Sequence, residues 1–82
     1  MIDYEQVLLK LVKPIVENPD SVSVKKMESI NDNEILLYVY AKDSDIARLI
    51  GHKGNMAHSI RDSLAIASRK ENKRVAVKFE AY

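Results

Sequence analysis

Both glycines of this 82-residue chain fall in one tetrapeptide, Gly51-His52-Lys53-Gly54. Average usage near 7% would place about six along such a length. A chain this sparing with glycine uses it where a side chain cannot be tolerated. Gly51 lets the backbone leave a helix in a conformation that other residues resist. Gly54 lets it turn into the next helix and removes the Cβ that would hold a ligand away. Such a corner presents N–H groups at a helix N-terminus, where partial positive charge favours phosphate. Lys53 adds a mobile cation. Two glycines also suit a tight helix–turn–helix corner for geometry alone, so the flanking pattern has to decide between the two readings.

Residues 3–16 read as a helix, with Tyr4, Val7, Leu8, Leu11, Val12 and Ile15 at helical spacing. Asp3 and Gln6 resemble a capping box, and Pro14 bends or ends the helix. Asn18-Pro19-Asp20 is a turn, residues 21–27 alternate as a strand, and Ser29 to Asn33 form the next turn. Residues 34–42 are the clearest strand, with Ile35, Leu37, Val39 and Ala41 on one face and Leu36, Tyr38 and Tyr40 on the other. The short link predicts an antiparallel hairpin. Asp43 or Ser44 caps a short helix through Ile50, whose buried face is Ile46, Leu49 and Ile50. After the glycine corner a second helix runs over 55–70 on Met56, Ile60, Leu64 and Ala67. Residues 74–80 alternate as a last strand, with Val75, Val77 and Phe79 on one face and Arg74 and Lys78 on the other. The order αββααβ predicts one α+β domain over 1–82, three helices packed on one face of a three-stranded sheet.

Composition narrows the chemistry. The net charge is only +1, but residues 1–41 sum to −3 and residues 42–78 to +5, before Glu80 restores the total. The basic half holds the glycine corner, as a nucleic-acid footprint would. There is no cysteine for a disulfide or thiolate metal site. His52 and His58 are six residues apart, off a shared helix face and without an acidic cluster, so no metal site is expected. No nucleophile stands beside a plausible base at the corner, and no cofactor motif is present, so no enzyme is expected. The N-terminus shows no leader pattern, and a cytoplasmic location is expected.

Asp45 to Asn55, D-I-A-R-L-I-G-H-K-G-N, resembles the signature of the K-homology (KH) domain, and the leading helix and strand resemble its type II arrangement. Length and the segment Leu11-Val12-Lys13-Pro14-Ile15-Val16 are similar to the small bacterial single-KH proteins of the KhpA kind. The resemblance implies an RNA-binding protein that clamps about four nucleotides of single-stranded RNA at the loop. Gly51, His52, Lys53, Gly54 and Asn55 would meet phosphates, with Arg48 and Arg61 as supporting cations. Ile46 and Ile50 are divided between the core and apolar contact with bases. His52 and Asn55 depart from the basic residues common at those positions. The family further implies an RNA chaperone or post-transcriptional regulator, a homodimer, and a larger KH-containing partner of the KhpB (Jag) kind linked to cell elongation and wall homeostasis. The competing reading is a protein-interaction module that keeps the fold and binds little RNA. Tyr38 and Tyr40 read as packing against helices or a dimer partner more readily than as a base-stacking platform. Ile66, off the apolar stripe of its helix, is a candidate protein contact.

Overall fold

The computed structural model describes residues 3–27 and 30–82. Its elements are α1 (Tyr4–Val12), β1 (Ser23–Met27), β2 (Glu34–Ala41), α2 (Asp43–Ile50), α3 (Asn55–Lys70) and β3 (Arg74–Ala81). The α+β class and the αββααβ order match the expectation.

The Asp3 carboxylate caps α1 by accepting from the Gln6 amide at 3.3 Å. The helix closes at Val12 rather than at residue 16. Lys13 keeps helical angles and its N donates to Leu9 O at 3.0 Å, but Pro14 has no N–H to continue the ladder. A single 3₁₀ turn, Pro19–Ser21, delays β1 to Ser23. Residues 30–33 turn as expected; Ser29 lies outside the described residues.

β2 is the centre of the sheet, whose order is β1-β2-β3. β1 pairs with it antiparallel, as the short link predicted, and β3 pairs with it parallel. Its burial alternates without a break, Ile35, Leu37, Val39 and Ala41 being buried and their neighbours half-buried. Those four share one core with Tyr4, Leu8 and Val12 of α1, Leu49 of α2, Ile60 and Leu64 of α3, and Val75 of β3. All three helices therefore cover the same side of the sheet. Tyr38 and Tyr40 lie on the other side, which excludes packing against the helices.

The C-terminal end of α3 is tied down by polar contacts. Asn72 takes a left-handed backbone, and the amides of Glu71 and Lys73 donate to Ser68 O at 3.1 and 2.9 Å. The buried Tyr4 hydroxyl donates to the Glu71 carboxylate. Burial first, then that hydrogen bond and the carboxylate's charge, push the Tyr4 hydroxyl up to about 12. Among the described residues no helix is long and apolar enough to cross a membrane.

Leu37 is fully buried and Ile66 is 62% exposed. In urea denaturation at a concentration low enough to keep the chain monomeric, Leu37→Ala is expected to cost about 2–5 kcal/mol, whereas Ile66→Ala should stay within about 0.5 kcal/mol of the parent.

Candidate nucleic-acid interface

The two glycines serve different physical needs. Gly51 has φ 74° and ψ −178°, a region populated essentially by glycine alone. A Cβ placed on it would lie 2.6 Å from Met56 Cβ and 2.9 Å from Met56 N. Its absence is what lets α3 start directly against the end of α2. Gly54 is left-handed at φ 78°, ψ 10°, but a Cβ there would meet nothing within 4 Å. Packing within the chain does not require Gly54 to be bare. The bare α carbon leaves its side of the corner open to an incoming backbone.

Between them His52–Gly54 form one 3₁₀ turn, and Lys53 is itself left-handed at φ 56°. His52 and Lys53 are exposed. Some of the corner's amides are satisfied internally: Gly51 N donates to Ala47 O at 3.0 Å, Gly54 N to Gly51 O at 3.3 Å, and Asn55 N to His52 O. No side chain caps α3, so no oxygen from its N-cap residue screens the amides of its first turn. The expected row of bare amides is thus narrowed to that first turn and the loop's middle, beside an exposed ammonium.

The flanks divide the remaining candidates. Leu49 is buried, Ile46 is half-buried against the core, and Ile50 is 39% exposed, so the expected burial of Ile50 does not hold. Met56, expected on the buried stripe of α3, is 37% exposed. Ile50 and Met56 thus frame the loop with partly accessible apolar surface. Arg48 is not free: its guanidinium pairs with the Glu17 carboxylate. Arg61 stands six residues along α3, about 9 Å from its start. It donates to His58 Nδ1 at 2.9 Å, and His58 Nε2 lies 3.5 Å from Asp62. Arg61 lines a cleft of about 570 Å³ with Arg69, Lys73 and Arg74, which contains no residue of the loop. Arg61 therefore belongs to a different stretch of surface from Lys53.

Asp45 opens the signature but has no role legible in the sequence, yet it is fully buried at the first turn of α2. The helix begins at Asp43 with Lys42 as N-cap and no side-chain cap, so neither Asp43 nor Ser44 plays the expected role. Instead the Asp45 carboxylate reaches across to the segment after α1. It accepts from Glu17 N at 3.0 Å, Asn18 N at 3.1 Å and Asn18 Nδ2 at 3.2 Å. With the Arg48–Glu17 pair, these bonds hold α2, and so the corner at its end, against the N-terminal segment. Donation from the Glu17 amide, reinforced by Asn18 and the Arg48 charge, outweighs burial and holds the Asp45 carboxyl below its ordinary 3.8.

Two outcomes test this geometry. In thermal melts Gly54→Ala should show only the left-handed strain of about 1–2 kcal/mol, whereas Gly51→Ala should lose more, because Met56 must also move. Because the folded Asp45 value is depressed, its stabilisation is complete above the ordinary 3.8 and is lost as pH falls through the lower folded value. Circular dichroism during acid titration should show that loss, and Asp45→Asn should remove it; an unaltered acid limb in the variant contradicts the assignment.

The family described as the KhpA/KhpB KH domain matches residues 5–79. The "RNA-binding protein KhpA" of Clostridium acetobutylicum is 36% identical over 73 residues, covering 89% of this chain and 95% of the relative. The protein of that name from Caldanaerobacter subterraneus is 33% identical over 82% of this chain and 87% of the relative. That of Bacillus subtilis is 31% identical, covering 87% and 85%. The arrangement of elements is that of a type II KH fold, the matched stretch runs from α1 to β3, and the chain belongs to the KhpA/KhpB KH-domain family.

Proposed function

We propose that this chain binds single-stranded RNA through the corner between α2 and α3, and catalyses no reaction. The observation that carries the reading is the open side of Gly54 beside the uncapped start of α3 and the exposed Lys53. A phosphodiester entering there meets amide hydrogens and an ammonium, which supply position and affinity without reading sequence. Its bases lie toward Ile46, Ile50 and Met56. Gly51, His52, Gly54 and Asn55 shape and line the contact. Arg48 contributes only by sharing its guanidinium with Glu17, and Arg61 only to a longer strand that reaches its cleft. The name carried by the relatives supports RNA as the ligand.

Within this reading the protein acts in the cytoplasm as an RNA chaperone or post-transcriptional regulator. It works with a larger KH-containing partner of the KhpB (Jag) kind in control of cell elongation and wall homeostasis, a role supported by family membership alone. A single short contact gives modest affinity, and a second copy adds avidity. Ile66, 62% exposed on α3, favours such a pairing. Sedimentation should show Ile66→Glu shifting a dimer to monomer; an unchanged profile removes Ile66 from that role.

The loop is tested by His52→Asp with Lys53→Asp, which sets anions where phosphate would sit. Affinity for a single-stranded oligonucleotide should fall at least tenfold while the circular dichroism spectrum is retained. Lys53→Ala alone should lower the salt dependence of binding by about one unit of slope and weaken binding more than Arg48→Ala. Equal retention of RNA by the double variant refutes the assignment.

A further inference from the structure

The face of the sheet turned away from the helices carries an ordered row of aromatic rings that the loop reading leaves unused. The strand register places Lys25 and Lys78 on either side of Tyr38, and Ser23 and Glu80 on either side of Tyr40. Residues paired across strands share a face, so these six side chains project to the same helix-free side. Tyr38 and Tyr40 stack with ring centroids 6.1 Å apart and planes inclined by 24°. Tyr82 extends the row, 6.3 Å from Tyr40 at 28°. Its hydroxyl is held 3.0 Å from Ser23 Oγ, and its amide donates to Ala41 O at 3.1 Å. Lys25 and Lys78 are exposed, and among the described residues neither is ion-paired.

Two kinds of occupant suit an open aromatic face, and the charges separate them. Protein interfaces are depleted in lysine, yet here an exposed lysine stands on each side of Tyr38, the ring at one end of the row. Rings flanked by mobile cations are the chemistry that holds single strands, with bases on the π-faces and phosphates against the ammonium groups. Glu80 beside Tyr40 repels phosphate and biases the strand toward the Tyr38 row. We infer that this face is a second contact for single-stranded nucleic acid, with bases stacking on Tyr38 and Tyr40 and phosphates meeting Lys25 and Lys78. The inference shares its ligand class with the proposed function but does not depend on the loop.

The experiment crosses the two surfaces. Tyr38→Thr with Tyr40→Thr removes the rings and keeps residues that favour strands. It is made in the parent and in the His52→Asp/Lys53→Asp background, and each protein is titrated with a labelled ten-nucleotide oligouridylate. The chain has no tryptophan and four tyrosines, of which Tyr4 is buried in the core, so tyrosine emission reports largely on this face. The loop variant should keep weak binding that quenches tyrosine emission, and the ring substitutions should abolish it. In the parent the same substitutions should weaken binding about tenfold. Ring variants that bind as tightly as their own backgrounds overturn the inference and leave the loop reading standing. Loss on ring substitution alone, with the loop variant unaffected, supports the face and refutes the loop. Ring variants that change sedimentation but not affinity assign the face to a second copy, and overturn the inference too. Should the ring variants fail to fold, Lys25→Glu with Lys78→Glu, both at exposed positions, takes their place with the same outcomes.

Discussion

The corner that defines this molecule closes because nothing extends from the α carbon of Gly51. A single methyl group there would lie 2.6 Å from Met56 Cβ, well inside any tolerable contact. Excluding it lets the end of α2 abut the start of α3 and directs the exposed His52–Lys53 step outward. The same approach aligns the two helices so that Leu49 on one and Ile60 and Leu64 on the other reach the core that β2 supplies. Without that contact the helices would separate, and the open side of Gly54 would lose its defined relation to Lys53.

Below the corner, a second constraint comes from a buried charge. An ionised carboxylate in the interior is costly unless its oxygens are satisfied. Three N–H donors from Glu17 and Asn18 satisfy Asp45. Acidic residues at the first turn of a helix are also favoured by its dipole, and Asp43 and Asp45 both lie in that turn of α2. The bonds join elements 27 and 28 residues apart in the chain, so the N-terminal segment braces the helix that leads into the loop.

What the sequence made legible follows from how local each signal was. α3 was readable because Gly54 precedes it and apolar residues recur along it, and β2, one residue shorter than the 34–42 expected, because alternation over eight residues has no helical equivalent. The αββααβ order and the one-sided packing followed from the elements. The early end of α1 was readable only in part: Pro14 announced a stop, while Ile15 continued the helical spacing past it. Asp45 was not readable, because its partners are backbone amides brought near only by the fold. The same holds for Arg48, whose pairing with Glu17 is tertiary, and for Ile50 and Met56. Their spacing reads as core, yet they lie where the two helices end and begin, beyond the reach of the sheet. For the loop, residue identity located the corner, but only the backbone angles and the space around each glycine separated the one required for packing from the one that leaves an opening.

The edge strand β1 carries one residue whose placement has a separate consequence. Lys26 pairs in register with Leu37 and therefore has inward parity, yet it is exposed. A lysine on the core-side parity of an outermost strand prevents another chain's strand from docking there, since its apolar neighbours would have to bury an ammonium. The margin of a small sheet is where copies would otherwise zip together into aggregates. Lys26 thus acts as a guard on solubility, and it does so without occupying either surface discussed for nucleic acid.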